Sequence, residues 1–216
     1  MCFSAAASFS AGAVLLGIGA LTVASAREPR ELPFAAMPLL FAVQQLIEGA
    51  IWLTFDHGAP GIGADLTLAY VLFSHVFWPV YVPLAVLLME RSAWRRRALG
   101  GLAAIGTALS AFLLERVLVQ GVTAQPASGH IEYVVPVASA VSSALLYLLA
   151  TTASLLLSSH RAVRRFGVLT LLAFILTYSF YAAWLVSVWC YFAAVLSGVV
   201  LLHFKRQADA RRLAPD

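Results

Sequence analysis

The sequence predicts an all-α fold: a polytopic transmembrane bundle of seven helices, forming one domain over residues 1–216. Three observations predict it. Charged residues make up 11% of the 216 and hydrophobic residues 62%, whereas soluble domains carry roughly 25% charged and 45–50% apolar residues. Mean hydropathy is +0.89. The apolar residues also fall in blocks of about 20, the length of a helix that crosses the hydrocarbon core. Seven such blocks occupy about 140 residues. The rest makes short loops and tails, with no room for a soluble catalytic domain.

The first block covers residues 5–26 and stops at the charged turn Arg27-Glu28-Pro29-Arg30-Glu31. The second covers 33–55 and ends before a loop holding Gly58, Pro60, Gly61 and Gly63. A third spans 66–89, up to Glu90, Arg91 and the Arg95-Arg96-Arg97 cluster, and a fourth spans 98–114. The longest polar stretch, 115–133, reads as a loop, and the fifth block covers 135–157. Residues 166–204 then run without a charge for 39 residues. As one helix they would be about 58 Å long, nearly twice the hydrocarbon thickness of about 30 Å. A break near Val186-Ser187 divides them into 167–185 and 188–204.

Charge sets the orientation, because cytoplasmic loops are enriched in Lys and Arg. Seven helices place 13 of the 14 basic residues on one face and leave only Arg116 on the other. The expectation is therefore N-terminus out and C-terminus cytoplasmic. Ala24-Ser25-Ala26 resembles a signal-peptidase site, but no basic residue precedes its apolar run, so the segment is expected to stay as a helix. The pI of 9.4 reflects loops facing anionic headgroups; no basic stretch is interleaved with aromatics, and nucleic acid is not an expected partner. Small residues at Gly12, Gly17, Gly19, Ala193, Ala194, Ser197 and Gly198 allow close helix packing within the bundle, or between copies in an oligomer.

One carboxylate, Glu48, lies inside a span. Ionisable groups at such depth are expensive and face the bundle or a cavity. Gln44 and Gln45 precede it by four and three residues and share its helical face. In the third span His75 and Trp78 share a face, with Tyr81 at its border, deeper towards the cytoplasm. Pro79 lacks an N–H, leaves the His75 carbonyl without its helical partner and predicts a kink. Tyr178, Tyr181, Trp184, Trp189 and Cys190 all fall near the outer face, as do Glu48 and His75. A binding site built from Glu48, His75, Gln44, Gln45, Trp78, Tyr81, Tyr178 and Trp189 is therefore expected. His57, His130 and His160 fall in loops and read as solvated, while His203 sits at the inner end of the last helix.

Both cysteines, Cys2 and Cys190, fall at the outer face. Three readings stand together: a Cys2–Cys190 disulfide, a zinc or copper site formed by His75, Glu48, Cys2 and Cys190, or two unlinked apolar thiols. The only lysine, Lys205, lies past the last span, so no buried retinal Schiff base is available. A single buried histidine and no HxxxH argue against a multi-histidine zinc hydrolase.

The chain resembles a family of small bacterial multi-pass membrane proteins beginning Met-Cys-Phe-Ser. The likeness rests on Met1-Cys2-Phe3-Ser4-Ala5 and on the run from Leu32 to Phe41 leading into Gln44, Gln45 and Glu48. It also rests on Phe73-Ser74-His75, Trp78-Pro79 and Ser187-Val188-Trp189-Cys190. The resemblance implies a polytopic protein of the bacterial inner membrane with no assigned activity. The residues themselves support binding or transport of a small cation or polar solute at a Glu48/His75 site in the outer half of the bilayer. The alternatives are a membrane-embedded metal or redox enzyme acting on lipid or quinone, and a structural or sensory subunit without chemistry.

Overall fold

Many large apolar side chains point outwards, and several polar ones point inwards beside an apolar core that includes Phe34, Met37 and Leu99. Val14, Leu172, Leu176, Phe180 and Val195 are exposed, whereas Gln44, Gln45, Glu48, Thr177 and Ser187 are fully buried. Such an apolar exterior marks a surface that lipid covers. The structure, a computed structural model, describes residues 4–135, 140–181 and 184–212. Among them six helices are long and apolar enough to cross a membrane: α1 (Ala5–Ser25), α2 (Pro29–Asp56), α3 (Pro60–Met89), α4 (Ala93–Gln120), α6 (Arg161–Tyr181) and α7 (Leu185–Lys205). The shorter α5 (Ser142–Leu157) brings the bundle to seven.

Ser4 caps α1, its hydroxyl accepting the N–H of Ala7 at 3.2 Å, and α1 packs along α2. At Gly19 a Cβ would lie 2.7 Å from the Leu39 backbone nitrogen, so only glycine permits that approach. α2 opens through short turns at Pro29–Glu31 and Leu32–Ala35 before the regular run Met37–Asp56. Its prolines, Pro29, Pro33 and Pro38, fall in first turns, where a missing N–H costs nothing.

α3 begins at Pro60, earlier than expected from hydropathy, because proline favours a helix's first position. The irregularity expected around His75 takes the form of a π-turn over Leu72–Phe77. The displaced carbonyls met by neighbouring side chains are those flanking His75. Tyr147 donates to Ser74 at 2.7 Å, and Ser110 donates to Val76 at 2.6 Å. A second π-turn, Leu149–Ala153, lies in α5. Gly106 of α4 sits between them, where an added Cβ would overlap the Pro79 carbonyl and lie 3.3 Å from the Ala150 Cβ.

α4 is longer at both ends than the expected 98–114. Helical hydrogen bonding does not stop at the apolar boundary, and Arg95, Arg96, Arg97, Glu115 and Arg116 ride on the extra turns. The polar stretch read as a loop is partly a β-hairpin, β1 (Thr123–Ala127) paired antiparallel with β2 (His130–Val134). Ser128 and Gly129 form its two-residue turn with φ of 50° and 74°, the left-handed pair that matches strand twist. The apolar stretch after α5 divides earlier than Val186-Ser187: α6 ends at Tyr181 and α7 starts at Leu185, which places Ser187 in the first turn of α7.

At the end of the bundle opposite the hairpin, the turns after α1, α3 and α5 meet. Glu90 accepts the N–H groups of Arg91 and Ser92 at 3.0 Å each, and that of Ser159 at 2.8 Å. Burial alone pushes its carboxyl pKa up, but these backbone donors outweigh it and hold the pKa below the usual carboxylate value.

Candidate functional site

The deepest polar cluster centres on Glu48, which is fully buried. Its Oε1 accepts from the Ser187 hydroxyl at 2.8 Å and from the Tyr133 phenol at 3.3 Å. Its Oε2 accepts from Gln45 Nε2 at 3.4 Å. Helix spacing puts Gln44 on the same inward face, where its Oε1 accepts from Trp78 Nε1 at 2.7 Å. Trp78 in turn stacks on Phe41 with centroids 4.2 Å apart. Gln44 and Tyr70 lie against the Cys190 thiol. Three elements, α2, β2 and α7, thus supply donors to one carboxylate, and α3 braces their side chains through Trp78 and Tyr70.

Beside the cluster is a cavity of about 230 Å³, lined by Ser74, His75, Tyr133, Tyr147, Phe174, Trp189 and Cys190 together with small and aliphatic side chains. The π-turn presents His75 to it, and His75 Nδ1 pairs with the Ser74 hydroxyl at 2.8 Å. Trp189 is held by its indole N–H, which donates to the Thr170 carbonyl at 3.2 Å, and by edge contacts with Tyr147 and Phe174. Tyr133 and Cys190 form the wall between the cavity and the Glu48 cluster. Tyr133 is fixed there by stacking on Tyr70, 4.4 Å between centroids and 6° between planes.

The expected site residues therefore divide into groups. Glu48, Gln44, Gln45 and Trp78 form the buried cluster, while His75 and Trp189 line the cavity. Among the described residues no hydrogen bond joins Glu48 to His75. Tyr178 does not reach the cavity: it is 58% exposed on the outside of α6, and Phe174, one turn earlier, lines the cavity in its place. Tyr81 is also elsewhere, stacked on Phe77 and donating to the Pro33 carbonyl at 2.7 Å. His130, read as solvated, is buried against Tyr181 and Trp184, because the hairpin folds onto the bundle. Burial holds its pKa below the ordinary 6.5.

Cys2 lies outside the described residues, and with it the disulfide reading. Among the described residues no three His, Cys, Asp or Glu side chains group to hold a metal ion, so these residues do not by themselves supply a zinc or copper site.

Sequence reasoning missed Tyr133, Tyr147, Phe174 and Ser187 as site residues. Tyr133 had a signal: Ser128-Gly129 sits before the alternating Ile131 and Tyr133, a hairpin pattern. Ser187 had only its place in the Ser187-Val188-Trp189-Cys190 motif, which does not show that it meets Glu48 across 139 residues of sequence.

No curated protein and no solved structure matches the chain. The sequence profile of a family of unknown function, DUF6629, matches residues 1–215, and the chain belongs to that family.

Proposed function

We propose that the protein binds, and in the membrane moves, a small cation or polar solute in the cavity beside His75, with Glu48 behind the wall as proton carrier or counter-charge. One observation carries this reading: Tyr133 lines the cavity and donates to Glu48, so a solute there lies one side chain from the bundle's deepest carboxylate. The size supports it. At about 230 Å³ the space exceeds the engineered cavity of about 150 Å³ that takes up benzene. The lining supports it too, since a mostly apolar wall with a few convergent polar groups is the usual make-up of a small-molecule site. The aromatic side chains Tyr147, Phe174 and Trp189 suit a cationic group, and the imidazole offers a hydrogen bond from the nitrogen not engaged by Ser74. The charge bias of the loops supports reading this end of the bundle as the outer half of the membrane.

A thermal-shift screen of the purified protein against alkali and divalent cations, small ammonium ions and small amides tests the reading. The expected result is a solute that stabilises the wild type and binds at least tenfold more weakly to Glu48→Gln and His75→Ala, both of which still insert. A variant that binds normally removes its residue from the site.

A further inference from the structure

We propose a second site, at the end of the bundle opposite the hairpin, that holds the phosphate group of an anionic phospholipid. A cavity of about 270 Å³ opens where the turns after α1, α3 and α5 meet, lined by Glu28, Arg30, Glu31, Arg91, Ser159 and His160, with Met89 at its apolar side. The two oxygens of Glu28 hold two guanidinium groups side by side: Oε2 takes Arg30 Nε, and Oε1 takes Arg91 Nη2 at 3.4 Å. Each guanidinium has five N–H donors, so one contact each leaves both forks able to grip a phosphate oxygen pair.

Two further arginines do not line the cleft but brace the turns that form it. Arg96 donates to the carbonyls of Leu87 and Glu90, at 3.1 and 3.0 Å. Arg164 donates to those of Ser158 and Ser159, at 3.1 and 3.4 Å. The nearby acids are engaged. Glu28 holds Arg30 and Arg91, Glu31 Oε2 caps the N–H groups of Arg27 and Glu28 at 3.0 and 3.2 Å, and Glu90 takes its three backbone donors. In the lining Arg30 and Arg91 match Glu28 and Glu31 in charge, and the bracing Arg96 and Arg164 against Glu90 leave the surroundings with one positive group in excess.

Depth selects the source of the phosphate. The cleft lies at the ends of apolar helices, where headgroups sit, and basic pockets between helix ends are typical headgroup sites. Leu84 and Leu88, one turn apart on α3 and both exposed, run towards it as a track for an acyl chain.

Thermal unfolding of the full chain in detergent, with dihexanoyl-phosphatidylglycerol, dihexanoyl-phosphatidylcholine or inorganic phosphate, tests the proposal. The glycerol lipid is expected to raise the Tm of the wild type by several degrees and to do so more than the choline lipid. Glu28→Gln, which frees both guanidinium groups, should keep or enlarge the shift, and the Arg30→Gln/Arg91→Gln pair should lose most of it. Inorganic phosphate giving the full shift would overturn the lipid as source. Equal shifts in the wild type and the double variant, or a Glu28→Gln loss as large as theirs, would overturn the site.

Discussion

The Tyr133 phenol donates to Glu48 at 3.3 Å while its ring stacks on Tyr70 and its edge walls the cavity. A residue of the β-hairpin thereby closes over a carboxylate buried in the bundle. Tyr133→Phe removes that bond at a cost of about 1 kcal/mol and loosens the hairpin. The expected consequence is several-fold faster modification of Cys190 by a small thiol reagent, in a chain whose Cys2 is replaced by Ser. An unchanged rate would mean that the cavity opens by another route.

Glu48 gathers three side-chain donors, and its replacements should separate charge from hydrogen bonding. Glu48→Ala removes the acceptor of the Ser187, Tyr133 and Gln45 side chains, each hydrogen bond lost costing about 0.5–1.5 kcal/mol. Glu48→Gln keeps an acceptor oxygen and should lose much less stability. Equal thermal unfolding of the two variants would contradict this account of the cluster.

The apolar blocks were legible because span length and hydropathy are local properties of the chain. Glu48, Gln44 and Gln45 stood out for the same reason, as polar groups on one face inside a span. The partners were not legible, because Ser187 and Tyr133 come from distant segments and meet Glu48 only through tertiary packing. Tyr178 failed as a cavity residue because depth can be counted along a helix, whereas rotation about its axis depends on neighbours. The hairpin was hidden by its polarity, which reads as loop unless the Ser128-Gly129 turn is weighed.

Gly106 accepts the Pro79 carbonyl against its own backbone. Gly106→Ala forces the two helices apart beside the π-turn that presents His75, and overpacking of this kind costs about 1–3 kcal/mol. Thermal unfolding should show that loss, whereas Gly100→Ala, with nothing near its Cβ position, should be neutral or slightly stabilising.

His130 supplies a pH dependence. Its folded pKa lies below 6.5 because of burial, so a detached hairpin takes up a proton more readily than a docked one. Its contribution to docking is therefore full above about pH 6.5 and is lost as the pH falls from there through the folded pKa. Hydrogen exchange in 123–134, corrected for intrinsic rates, should rise on acidification in the wild type. His130→Phe should flatten that rise.

An experimental density map of the purified protein in lipid nanodiscs, at a resolution that shows small solutes, tests the central claim most directly. The account predicts a bound solute touching His75 and Trp189, with Tyr133 between it and Glu48 and the carboxylate still held by Ser187. A closed, dry bundle with the cavity collapsed and Glu48 bonded directly to His75 would contradict it.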